Sequence, residues 1–147
     1  MWDSLKPEIL ARLPRSTMNG TTNGSHAPSV LASPPTNWES CLEKLQEYRS
    51  YTDDWDGQGA AFGKPAAPIT GEMIDSATAL ATSLRRVGVS APDWTFPGVD
   101  GTVGFEWRLG SGDSISLEFR DPTMADVFFC AADNDVEHLI LTEAVTV

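Results

Sequence analysis

The chain has 147 residues, with ten Lys and Arg against 21 Asp and Glu, a formal net charge of −11 and two cysteines. That balance repels a phosphate backbone, which argues against direct nucleic-acid binding, and it favours a protein partner with a basic face. Cys41 and Cys130 lie far apart without a Cys-x-x-Cys pairing, so neither a disulfide framework nor a zinc site is supported, and no window reaches the length of a membrane span.

The charge is unevenly spread. Lys6, Arg12 and Arg15 against Asp3 and Glu8 leave residues 1–35 at +1, so the remaining 112 residues carry −12. Leu5, Ile9, Leu10 and Leu13 fall on one side of a short helix that Ser4 caps, with Pro7 tolerated in the first turn. So short a helix does not persist alone in water. It either docks on its own domain or serves as a helix-in-groove peptide for a partner. Residues 15–35 are dominated by Ser, Thr, Asn, Gly, Ala and Pro, the composition of a flexible linker. The expected layout is a short amphipathic peptide over 1–14, a linker over 15–35 and an acidic α+β domain over 36–147. The first residues, MWDSLKP, hold no basic region followed by an apolar run, which points to a cytoplasmic protein.

Thr36 and Glu39 form a capping box for a helix to about Tyr51, with Trp38, Cys41, Leu42, Leu45 and Tyr48 on one face. A second helix is expected from about Thr70 to Val87, with Met73, Ile74, Ala77, Leu80, Ala81, Leu84 and Val87 on its stripe. Arg85 and Arg86 suit its C-terminal dipole, and Gly88 its last turn. Pro92 and Pro97 bound an extended segment that belongs at a sheet edge.

Residues 100–131 form the clearest stretch, a three-strand antiparallel meander. Val103, Phe105, Trp107 and Leu109 alternate with polar or small residues, and so do Ile115, Leu117 and Phe119. A three-residue loop, Gly110-Ser111-Gly112, sets Trp107 opposite Ile115 and Glu106 opposite Ser116; a five-residue loop would oppose Glu106 to Glu118. A second turn over residues 121–125 should bring Arg120 opposite Asp126. Phe128 then points to the polar side, where an aromatic is either covered by neighbouring chain or part of a binding surface. Val136 to Thr142 reads as a final strand after the Asp133-Asn134 turn.

Asp53, Asp54 and Asp56 are three carboxylates in four residues and could hold a hard cation, but the EF-hand pattern fails because the twelfth position from Asp54 is Pro65. The alternatives are a partner-recognition loop, or a turn in which Trp55 plugs the core and Asp56 accepts backbone N–H bonds. Glu106 with Glu118 could form a catalytic pair, although Arg108 and Arg120 nearby suit a solvated face. No nucleophile elbow, phosphate loop, dinucleotide fingerprint or histidine triad occurs, and His138 is the one histidine outside the linker.

The run Asp54-Trp55-Asp56-Gly57-Gln58-Gly59-Ala60, followed by prolines, an Ala-rich helix and then Asp100-Gly101 leading to Glu106-Trp107, resembles a group of small, functionally uncharacterised bacterial proteins. Those share an Asn/Asp-Trp-Asp-Gly-x-Gly-Ala turn and a later Asp-Gly-x-Val-x-x-Glu-Trp strand. The likeness covers about residues 38 to 132. It implies a bacterial or phage origin and transfers no catalytic residue.

The expected fold is α+β, with two helices on one face of a four- to five-stranded antiparallel meander and a flexible N-terminal segment. The expected function is a non-enzymatic interaction module without a cofactor, an accessory, antitoxin-like or immunity-like subunit of a bacterial defence or toxin system. Its contact residues are expected among Leu5, Ile9, Leu10, Leu13, Trp55 and Phe128. The competing expectations are a small metal-dependent hydrolase built on the clustered carboxylates, and an acidic mimic of nucleic acid.

Overall fold

A computed structural model of the chain describes residues 6–15 and 37–142. Its framework is a five-stranded antiparallel sheet in sequence order: β1 (Trp94–Pro97), β2 (Val103–Arg108), β3 (Ser114–Asp121), β4 (Met124–Cys130) and β5 (Val136–Thr142). Trp107 stands opposite Ile115, Phe105 opposite Leu117 and Glu106 opposite Ser116, the register that the three-residue loop demands. Leu109 and Asp113 close that loop, with the Leu109 N–H on the Asp113 carbonyl at 2.9 Å. Gly112 takes φ +93°, where any side chain would be strained.

The second turn is tighter than expected. Asp121 pairs with Met124, leaving Pro122 and Thr123 as the corner, and a bulge falls between Phe119 and Asp121. Arg120 is the extra residue, so Glu118 rather than Arg120 stands opposite Asp126. The physical cause is the Asp121 carboxylate, which accepts both the Thr123 N–H and the Thr123 hydroxyl at 2.8 Å and draws the chain round. Ser76 on the helix behind the sheet donates to the Pro122 carbonyl and ties the corner down.

Two longer helices, with two single turns, complete the described chain: α1 (Pro7–Leu10), α2 (Trp38–Tyr48), α3 (Gly59–Phe62) and α4 (Gly71–Arg86). Asn37, not Thr36, caps α2, its side chain accepting the Ser40 N–H at 2.7 Å; Thr36 lies outside the described residues. Thr70 caps α4 through the Met73 N–H, and Gly88 at φ +90° turns the chain off its end. The buried faces of α2 and α4 share one core with Val103, Phe105, Trp107, Ile115, Leu117, Phe119, Val127 and Phe129 of the strands. Three aromatic polar tips inside this core are satisfied: Trp38 Nε1 donates to the Val89 carbonyl, Trp107 Nε1 to that of Ser90 and Tyr48 Oη to that of Thr95. The Thr78 hydroxyl on α4, by contrast, is buried without a partner among the described residues.

α2 packs on β1, and α4 on β2 and β3. Residues 6–15 join the same core on the side of β4 and β5. Ile9 and Leu13 are buried there, the Arg12 guanidinium lies 3.5 Å above the Phe129 ring, and Arg12 pairs with Glu137 at 2.7 Å. Lys6 Nζ donates to the Ile140 carbonyl, and Arg15 bridges to Val89. Of the two alternatives for this segment, residues 6–15 take the docked one, because Phe129, Val127 and Leu141 need apolar cover that α2 and α4 do not extend to give. Leu5 and the remainder of the 15–35 stretch beyond Arg15 lie outside the described residues.

Candidate functional site: the open face of the sheet

Period two leaves a second face on every strand, and the buried sides of α2 and α4 pack on the opposite one. The register aligns that face into rows. One row runs Trp94, Glu106, Ser116, Phe128, His138 from β1 to β5; the next runs Phe96, Gly104, Glu118, Asp126, Ile140. Trp94 is 55 % exposed, with the Arg108 guanidinium 5.8 Å from its ring. Arg108 also lies 3.6 Å from Glu106, so ring, cation and carboxylate form one exposed corner. Phe96 lies across Gly104, where an added Cβ would come within 2.3 Å of its Cζ. Glycine there lets the ring lie flat on the sheet.

In the second row Glu118 and Asp126 face each other directly, an arrangement that like charges resist. Each carboxylate has its own compensation. Glu118 accepts from Thr102 Oγ1 at 2.9 Å, while Asp126 accepts from Arg120 through both oxygens and sits 2.8 Å from His138 Nε2. Partial burial pushes the Asp126 carboxyl up, but the bonds from Arg120 and His138 outweigh it and hold the group below the usual carboxylate range. His138 stacks on Phe128 with ring centroids 4.6 Å apart and planes at 12°. Phe128 thereby stands between His138 and Ser116 in the row, so the histidine–aspartate pair receives no hydroxyl nucleophile from Ser116.

The Asp53–Ala60 stretch sits elsewhere, below α2. Asp54 takes φ +59° and accepts the Gly59 N–H at 2.9 Å; a Cβ on Gly59 would lie 2.8 Å from that same carboxylate oxygen. Asp56 accepts the Gln58 N–H at 3.1 Å. Trp55 is half-buried, donates to the Ala67 carbonyl at 2.8 Å and packs 5.0 Å from Tyr51. The carboxylates of Asp54 and Asp56 are therefore turned onto backbone, Asp53 is exposed, and among the described residues no three His, Cys, Asp or Glu side chains converge as a metal site. Between Arg12 and the ends of β3, β4 and β5, beside Asp113, Asp135 and Glu137, lies an opening of about 290 Å³.

The residues expected to make contacts thus separate. Ile9 and Leu13 are buried in the chain's own core with Leu10 packed against them, Trp55 braces a turn, and Phe128 alone stands on the open face. Trp94 was not among the candidates. Its signal was the alternation within Pro92–Pro97, which puts Trp94 and Phe96 on the side of Glu106 once β1 is paired with β2. Among the described residues no helix is long and apolar enough to cross a membrane. Comparison with protein families, with curated proteins and with solved structures returns no match.

Proposed function

We propose that this chain is a non-catalytic interaction module of the cytoplasm that receives a basic protein partner on the open sheet face. The observation that carries the reading is Trp94, left more than half exposed on an ordered strand, in a row with Glu106, Phe128 and His138. Exposed aromatics flanked by charge are the usual anchors of protein contacts. The −12 carried by residues 36–147 attracts a partner of opposite sign and speeds encounter. An accessory, antitoxin-like or immunity-like subunit of a bacterial defence or toxin system fits this chemistry, since such a subunit acts by covering its partner.

The test compares capture of proteins from the native host by the full chain, by Trp94→Ala and by Phe128→Ala, across a salt series. Trp94 is exposed, so its truncation should change stability by less than about 0.5 kcal/mol. A specific basic protein should be held by the unaltered chain, released by rising salt and lost from Trp94→Ala. Retention by both variants, or binding indifferent to salt, would sink the proposal.

A further inference from the structure

The two edges of the sheet are built differently. β1 is four residues long, starts two residues after Pro92 and ends on Pro97. β5 has seven residues and no proline. The direction of its free backbone groups can be read from two hydrogen bonds. Lys6 Nζ reaches the Ile140 carbonyl at 3.1 Å from outside the sheet, so that carbonyl points away from β4. The Ala131 N–H donates to the Asp135 carbonyl, which puts odd-numbered residues of this strand toward β4. Both agree that Val136, His138, Ile140 and Thr142 present their N–H and C=O groups outward. Apart from Lys6 on Ile140, no described residue takes them up.

The same four residues carry their side chains on the open face, where Val136 is 56 % and Ile140 39 % exposed. Unpaired backbone and exposed apolar side chains at the same positions are a template for another strand; β5 holds no proline, lysine or bulge, and its one acidic residue, Glu137, is paired with Arg12.

We infer that β5 pairs antiparallel with β5 of a second copy of this chain, on a two-fold axis at Leu139. In that register His138 faces Ile140 of the second copy, Val136 faces Thr142, Glu137 faces Leu141, and Leu139 meets its own equivalent. Within Val136–Thr142 no like charges are opposed. A two-fold at Glu137 would instead bring two carboxylates together. The His138 N–H of the second copy takes the Ile140 carbonyl in place of Lys6. Because directly opposed residues share a face, the two open faces then lie side by side on one continuous sheet. The partner surface is presented twice, and a partner with two sites gains avidity.

Charge gives this association its own signature. Each copy carries −11, so added salt strengthens it by screening self-repulsion, whereas binding to a basic partner weakens with salt. The two readings therefore stand or fall separately. The experiment is sedimentation velocity of the full chain over a concentration series at low and high salt. The mass should rise from 15.9 kDa toward twice that value, at lower concentration when salt is high. Ile140→Pro removes one outward N–H without touching the β4 ladder, and the Val136→Lys, Ile140→Lys double variant places charges on exposed positions. Each should weaken dimerisation by at least about tenfold with circular dichroism unchanged. Should Ile140→Pro unfold, the lysine variant decides. A mass of 15.9 kDa at every concentration and salt, or a dimer that persists in the variants that fold, would overturn the inference.

Discussion

The two faces of one sheet follow opposite rules, although both arise from the same alternation along β2, β3 and β4. On the covered face Phe105, Trp107, Leu117, Phe119 and Val127 are sealed by α2, α4 and residues 6–15, and the indoles of Trp38 and Trp107 and the Tyr48 hydroxyl there find backbone partners. On the open face the residues between them are held by charge and stacking: Arg108 with Glu106 and Trp94, Arg120 and His138 with Asp126, Phe128 on His138. Burial makes the first face tell for stability. The second is arranged without being covered, which is what a contact surface requires.

The largest effect that separates the faces is expected from Phe105→Ala. Phe105 has no exposed surface and sits edge-on to Trp107 and Phe119, so the cavity should cost about 3–5 kcal/mol. That is a large share of what a domain of this size has. Phe128→Ala should cost less, about 1–2 kcal/mol, because the ring is only partly buried and one stack is lost. Urea unfolding of both variants measures the difference, and equal losses would break the comparison.

Next comes Ile9→Ala, expected to cost about 2–4 kcal/mol, since Ile9 is 1 % exposed and belongs to the core. It asks whether the covered face ends at α4 or needs residues 6–15. A neutral result would return this segment to the tethered arrangement, with β4 and β5 bare on both sides.

That tie shows where sequence reading stops. The stripe of Ile9, Leu10 and Leu13 is legible as a face that must be buried. Its destination is not, because Arg12 meets Glu137 across 125 residues of chain and nothing local encodes that meeting. The meander was legible because period two and Gly112 act over neighbouring residues, and a three-residue loop, unlike a five-residue one, keeps Glu106 from facing Glu118. The second turn was not, since its tightness comes from the Asp121 side chain rather than from Pro122. Trp94 was missed because exposure depends on the β1–β2 register, which the short edge strand does not announce. The Asp54–Gly59 turn was half legible: Asp56 bonds backbone as the Gly-rich spacing suggested, while the left-handed Asp54 needed the closeness of Gly59 and Pro65 to be seen.

The smallest effect is the one that tests how the open face holds its charge. Asp126 is only 15 % exposed and accepts from Arg120 and His138, yet it also faces Glu118, so Asp126→Asn removes a repulsion together with two attractions. The net loss at neutral pH should be about 1 kcal/mol, near the upper end for paired surface charge. Its pH dependence follows from the lowered carboxyl. A group held below its unfolded value contributes fully above that value, near pH 4, and the contribution fades as pH falls toward the folded one. The parent protein should therefore lose stability below about pH 4 faster than Asp126→Asn, and the two curves should converge in acid. Thermal unfolding across that range measures it. Parallel curves would mean that Asp126 gains nothing from its partners, and that the opposed pair with Glu118 is tolerated only because solvent screens it.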